Sequence, residues 1–350
     1  MSTHTDPTTT IWLELPGAPS IDGLRFRRPR GDDADYEAQA AVLNAASLAD
    51  DVPWMVTAAN HREDIEDSEG IDPNRDMVLT EIDGRVVAES GVERRLRGGH
   101  PVYFVWGYVH PDVRRRGLGR VLLTENLRRA DERIATEDAD RDDWRVRTFI
   151  AEGEVGAHAL LESAGFTPER WFVMMRRPLD AEIPDAPLPD GLEFRPVTPD
   201  QHRTIYDAEG EAFRDHWEWR DHSDADFEAE YRRSDIDTSL WVVAWDEDEV
   251  AGVVQNWIWR DENATLGVQR GWLEHISVRR PWRRRGVGRA ITAEALRVLR
   301  DAGMTEGMLG VDADNPTGAL GLYQGLGFEV HRRSTTYAGP RQGPKSGTTG

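Results

Sequence analysis

Residues 114–119, Arg-Arg-Arg-Gly-Leu-Gly, return at 283–288 as Arg-Arg-Arg-Gly-Val-Gly, and they do not return alone. Gly23-Leu24-Arg25-Phe26-Arg27 recurs as Gly191-Leu192-Glu193-Phe194-Arg195, and Ala164-Gly165-Phe166 recurs as Leu326-Gly327-Phe328. The order is the same and the intervals are nearly equal. A duplication constrains the fold more than composition does, because one supersecondary plan must account for both halves. Prolines at 178, 184, 187 and 189 separate the copies. That spacing defeats helices and interior strands, so the stretch reads as extended. The expected division is an N-terminal domain over 1–178, a Pro-rich linker over 179–190, a C-terminal domain over 191–339 and a disordered tail over 340–350.

Each copy carries one pattern. A short strand opens it (24–27, 192–195), and helical segments follow (35–48, 201–213). Two strands come next (77–82 and 86–93, matched by 240–245 and 250–259). An apolar strand then leads through the Arg/Gly turn into a long amphipathic helix (119–135, 288–302). A strand, a short helix and a final strand close the copy. Strands alternating with helices through short links predict an α/β domain.

Composition narrows the chemistry. A chain of 350 residues suits about two domains. There is no cysteine, which excludes disulfides, a cysteine-based zinc site and an acyl-enzyme thioester; no metal site is expected. The net charge of −21 argues against nucleic acid and anionic membranes as partners. No apolar run is long enough to span a bilayer, and residues 1–10 lack the features of a signal peptide, so a cytoplasmic location is expected.

The turn itself points to an anion. Glycines at 286 and 288 let the backbone approach a ligand, and the first amides of the following helix have no internal partners. Guanidinium groups at 283, 284, 285 and 289 add positive charge, so a pyrophosphate fits. The P-loop and dinucleotide-binding glycine patterns are both absent.

Arg-x-x-Gly-x-Gly after a strand ending in valine resembles the pyrophosphate loop of the GNAT acetyltransferases. Asn315 to Phe328, with Tyr323 in a short helix and Gly327-Phe328 at its end, resembles that family's last motif. The tandem arrangement is similar to the mycothiol synthases and related double-GNAT proteins. The resemblance implies two GNAT folds, each a mixed, largely antiparallel twisted sheet flanked by helices. It implies acetyl-CoA as cofactor and a small-molecule amine as acceptor. The main chain of Ile276, Ser277 and Val278 is expected to pair with the pantetheine arm. Arg283, Arg284, Arg285, Gly286, Val287, Gly288 and Arg289 are expected to hold the pyrophosphate, and Asn315 to contact the cofactor. Val109, Arg114, Gly117 and Gly119 mark a possible second CoA site.

Amine acetylation must remove a proton from an ammonium and return one to a thiolate. Glu274 is the candidate base. Strand alternation places it on one face with Trp272, Ile276 and Val278, where burial raises a carboxyl pKa. The bland alternative is a solvated strand end. Tyr323 is the candidate acid, and its alternative is a core tyrosine on the stripe 319, 322, 323, 326. His275 is expected to point the other way as a structural residue. Segment 211–219, dense in aromatic and acidic groups, is either an acceptor wall or a packing face. In the N-terminal copy the positions of Glu274, Tyr323 and Asn315 fall on Val105, Leu161 and Gly153. Transfer is therefore expected in the C-terminal copy, to a small amine. Acetylation of a cysteinyl pseudodisaccharide, as in the mycothiol synthases, is one alternative, and a non-catalytic acyl-CoA-binding or sensing protein is the other.

Overall fold

The computed structural model describes residues 10–52, 55–217, 219, 223–233, 236–314 and 318–340. Asn315 and residues 341–350 of the expected tail lie outside them. The chain forms two compact units, one of residues 1–169 with 335–350 and one of residues 170–334. No helix among the described residues is long and apolar enough to cross a membrane.

In the first unit, β1 (Trp12–Leu13) and β2 (Leu24–Arg27) precede α1 (Asp33–Ala49), α2 (Ala58–Glu66) and the single turn α3 (Pro73–Asp76). Then come β3 (Met77–Ile82), β4 (Arg85–Arg97), β5 (His100–Val109), α4 (Leu118–Glu137), β6 (Arg145–Ala151) and α5 (Val155–Ser163). Neighbouring strands from β1 to β5 pair antiparallel, and β5 pairs parallel with β6. Helix α1 starts where the Asp32 carboxylate accepts the Asp35 amide, a polar N-cap that satisfies one orphan donor. Tyr337, near the chain end, belongs to this unit. It is buried among Val105, Ile134, Leu161 and Phe166, with its hydroxyl 2.9 Å from His158 Nδ1.

The second unit takes most of β7 (Thr167–Pro178), then β8 (Leu192–Phe194), α6 (His202–Phe213), α7 (Asp224–Arg232), β9 (Val242–Asp246) and β10 (Glu249–Trp257). It continues with α8 (Arg260–Leu266), β11 (Arg270–Val278), α9 (Val287–Asp301), β12 (Glu306–Asp312), α10 (Ala319–Gln324) and the first part of β13 (Glu329–Ala338). Strands β8 to β11 pair antiparallel in sequence, β11 pairs parallel with β12, and β12 pairs antiparallel with β7.

Helix α9 buries Val287, Ile291, Ala295, Leu296 and Leu299 against Leu273, Val254 and Leu309. This spacing makes one apolar stripe, and truncating Leu296 to alanine would remove about 2–5 kcal/mol of stability. Helix α6 covers the opposite face, where Ile205 and Ala208 meet Val243, Trp245 and Val253.

The proline-rich stretch is extended, yet it is no free tether. Leu179, Ile183 and Ala186 are buried in the core of the second unit. Arg177, 2% exposed, donates to the carbonyls of Leu326, Pro178 and Glu182. The division between units therefore falls ahead of the prolines, because residues 172–178 pair with β12.

Candidate active site

In each unit the parallel pair of strands opens into a V. Strands β11 and β12 pair only from Arg270–Trp272 to Glu306–Met308, so beyond Trp272 the main chain of β11 has no β12 partner. In the first unit β5 and β6 pair only from Val102–Phe104 to Arg145–Arg147. An unpaired strand edge offers amides and carbonyls to an extended ligand. The backbone of Ile276, Ser277 and Val278 borders the opening in the second unit.

The Arg/Gly turns have one backbone in two copies. Arg115 and Arg284 both have φ of +62°, and the N-cap glycines Gly117 and Gly286 both have φ of +93°. A side chain at such a φ is strained, which explains glycine there. Neither glycine's helix has a side-chain cap. In α9 the first helical bond runs from the Ala290 amide to the Gly286 carbonyl, so the amides of Val287, Gly288 and Arg289 have no helical acceptor. A methyl group at Gly286 would meet nothing within 4 Å, and at Gly288 it would only touch Leu322 and Val278. Open amides, a clear approach and the exposed Arg284 and Arg285 fit a pyrophosphate.

Arg283 has a more specific task than the sequence suggests. Its Nε donates to the Val278 carbonyl at 2.8 Å, and its two terminal nitrogens donate to Asp215 at 2.6 Å and the Ala212 carbonyl at 2.8 Å. Arg114 repeats this, with Nε on the Val109 carbonyl at 2.9 Å and both terminal nitrogens on Asp50 at 2.7 and 2.8 Å. The first arginine of each triplet therefore clamps the turn to the end of the early helix. Arg289 reaches the Gly325 carbonyl at 3.2 Å.

A bulge in β11, opposite Gln255 of β10, sets the candidate base. Val254 pairs with Ile276 and Asn256 with Leu273, so Gln255 alone opposes both Glu274 and His275. This bulge breaks the alternation expected for the strand. Leu273 and Ile276 both pack into the core under α9, and Trp272 does not join them. Glu274 lies two residues beyond the last β11–β12 pair, where the strands part. No described residue hydrogen-bonds it, burial raises its pKa, and the adjacent His275 lowers it.

Tyr323 is 7% exposed in the core beside Phe328, with ring centroids 6.0 Å apart. It is both a core tyrosine and a phenol with an unclaimed hydroxyl. Burial alone raises its pKa, and no described residue hydrogen-bonds it.

Segment 211–219 is largely committed within its own unit. Glu211 pairs with Arg279 at 2.7 Å, and Asp215 pairs with Arg280 and Arg283. Trp217 stacks near Phe172 and under Arg170. Phe213 turns towards β11, with its ring 5.9 Å from that of His275. Glu218 lies outside the described residues. His275, expected to be structural, bonds the buried Glu209 at 2.6 Å. The sequence reading missed Glu209, Gln255 and Glu230. The spacing of Ile205, Glu209 and Ala212 along one helix face was the available signal for Glu209.

The positions that the sequence aligns with Glu274 and Tyr323, Val105 and Leu161, are buried core residues of the first unit. Strand β5 has no bulge, so counted from the last parallel pair Val105 matches Leu273, and Trp106 stands where Glu274 does. Gly153 backs onto α1 so closely that a Cβ would stand 1.9 Å from the Asp50 carbonyl oxygen, which leaves no room for asparagine. Glu154 is buried beside it, and burial pushes its carboxyl up to about 7.

Comparison with known proteins agrees with these two copies. The Acetyltransferase (GNAT) family matches residues 42–166 and again 202–328. A mycothiol acetyltransferase of Salinispora tropica is 32% identical over 316 residues, covering 85% of this chain and 94% of that protein. One from Saccharopolyspora erythraea is 32% identical over 222 residues, covering 63% of this chain and 71% of its own. Among solved structures, a GCN5-related N-acetyltransferase from Sphaerobacter thermophilus superposes with a TM-score of 0.70 at 28% identity, covering 93% of this chain and 98% of that one. A tandem GNAT protein from the clavulanic acid biosynthesis pathway shares the fold, with a TM-score of 0.65 at 18% identity over 91% of this chain and 100% of that one. Two matched copies, each with an open strand pair and the same glycine turn, make this chain a member of the GNAT family, an N-acetyltransferase that uses acetyl-CoA.

Proposed function

We propose that the second unit carries out the transfer, moving the acetyl group directly to the amine of a small-molecule acceptor. The observation that carries this reading is the placement of Glu274, a carboxylate with no partner among the described residues, at the point where β11 and β12 part. At the corresponding point of the first unit, two residues past the last β5–β6 pair, stands Trp106, which has no carboxylate. Acetyl-CoA supplies an activated thioester, and the residues of the chain supply binding and proton handling.

The edge of β11 at 276–278 aligns the pantetheine arm. The amides of 287–289, with Arg284 and Arg285, bind the pyrophosphate, and Arg283 keeps that turn in shape. Glu274 takes the proton of the acceptor ammonium, directly or through water, at its carboxylate oxygens. Burial favours its protonated form and so strengthens it as a base. Tyr323 Oη returns a proton to the departing sulfur. Without a cysteine no acyl-enzyme thioester forms, so both substrates bind together.

Relatives named mycothiol acetyltransferase support a second, finer reading, in which the acceptor is a cysteinyl pseudodisaccharide. The test is release of free CoA against a panel of amines that includes that acceptor. Glu274→Gln and Tyr323→Phe should each lose about 10²–10⁴-fold in turnover while calorimetry shows acetyl-CoA binding retained. Wild-type turnover in both variants would sink the assignment.

A further inference from the structure

The bulge in β11 sets His275 beside Glu274 and points it at α6. There the imidazole Nδ1 lies 2.6 Å from Glu209 Oε1. Glu209 is 3% exposed on its side chain, and its other oxygen accepts Gln255 Nε2 at 2.6 Å. Gln255 is fully buried and is itself held by Trp257 Nε1 at 3.4 Å. Both carboxylate oxygens are thus occupied by donors from β10 and β11, which fixes Glu209 as an acceptor and makes Nδ1 a donor. A histidine held for packing alone would be enclosed, yet 46% of the His275 side chain remains accessible. The ring therefore has one nitrogen fixed by a buried carboxylate and open surface beside the candidate base.

We propose that His275 is a positioning residue for the transfer reaction: held by Glu209, its imidazolium keeps the neighbouring Glu274 carboxylate ionised and ready to take the acceptor's proton. This rests on Glu274 being the base.

The electrostatics agree with the geometry. The groups facing His275 are Glu209 on α6, Glu230 on α7 and Glu274 on its own strand, three carboxylates around one ring. They push the imidazole up to about 9 against the opposing effect of burial. Burial raises Glu274, and the imidazolium works against that rise. Glu230 is raised by burial and by Glu209, while His275, a hydrogen bond with Gln255 and Arg233 pull it down. A buried base left without a cation would stay protonated near neutral pH and could not accept a proton. His275 corrects this without making an ion pair so tight that the carboxylate loses its basicity.

The test is NMR titration of the full chain, with carbon-13 at histidine Cε1 and glutamate Cδ. His275→Gln and Glu274→Gln identify the two resonances by their loss. In the wild type the His275 midpoint should lie far above the ordinary value of about 6.5. In Glu209→Gln, a near-isosteric change, it should fall by about two units, a hundredfold loss of proton affinity. The Glu274 midpoint should rise by about one unit, tenfold, in His275→Gln, and by less in Glu209→Gln, where the imidazole is still cationic below its lowered midpoint. An ordinary His275 midpoint in the wild type, or a Glu274 midpoint unmoved by His275→Gln, would overturn the proposal. No acceptor is needed for these readings. If the titrations behave as expected but Glu274→Gln turns over like the wild type, the base assignment fails and the electrostatic coupling stands.

Discussion

The duplicated clamp gives a matched pair of perturbations. Arg283→Gln removes two hydrogen bonds from a charged donor to main-chain carbonyls, at Val278 and Ala212. At about 1–1.5 kcal/mol each, the second unit should lose about 2–3 kcal/mol. The Asp215 contact is left out of that sum, because this exposed carboxylate keeps Arg280. For a unit of this size the loss lowers its melting temperature by about 4–12 °C. The larger effect is on the ligand. Once released from Val278, the turn no longer holds the amides of 287–289 in one arrangement, and acetyl-CoA affinity in that unit should fall about 10–100-fold. Arg114→Gln is the control. It removes the equivalent bonds to Val109 and Asp50, so it should destabilise the first unit while turnover stays near wild type. Calorimetry with acetyl-CoA, scanning calorimetry and CoA release read the three quantities. An Arg283→Gln protein with lowered stability and unchanged acetyl-CoA affinity would refute the idea that the clamp shapes the site. Loss of turnover in Arg114→Gln alone would refute the division of labour.

Tyr323→Phe should change stability by no more than about 0.5 kcal/mol, because its hydroxyl has no described partner to lose; a larger drop in denaturant midpoint would mean the hydroxyl is structural. Glu154, pushed up to about 7 in the folded state, binds its proton more tightly there than when unfolded. Its contribution is therefore present below the unfolded value near 4.5 and is lost as pH rises through about 7, so the first unit should be less stable at pH 8 than at pH 5. Glu154→Gln keeps an oxygen for the Ala151 amide and should flatten that slope in pH-dependent unfolding, by an amount on the order of 3 kcal/mol at most. Gly153→Ala should destabilise the first unit by at least about 1–3 kcal/mol, because the atom it meets is a backbone carbonyl that cannot turn aside; an unchanged melting profile would contradict the close approach.

Much of this was legible in the residues alone because it is local. The strand 77–82, the stripe of α9 and the glycine turns depend on period and turn chemistry within a few residues, and they recur in both copies. Sequence alignment alone set 105, 153 and 161 against 274, 315 and 323, and the bulge in β11 moves the first of these matches to Trp106. Tertiary structure decided the rest, through contacts that join distant parts of the chain. Arg283 meets Asp215 across 68 positions, and Gln255 meets Glu209 across 46. No local pattern announces such partners, so the residues alone assigned Arg283 to the pyrophosphate and His275 to a structural role without naming what either would meet. The same holds for the bulge at Gln255, which depends on how β10 and β11 register and reverses which side chains reach the core. It holds as well for Tyr337, claimed by the core of the first unit from the far end of the chain. The duplication is a property of the string of residues. The surroundings proposed to tune Glu274 exist only once α6, β10 and β11 have packed together, because burial and neighbouring charge are set by the packed fold.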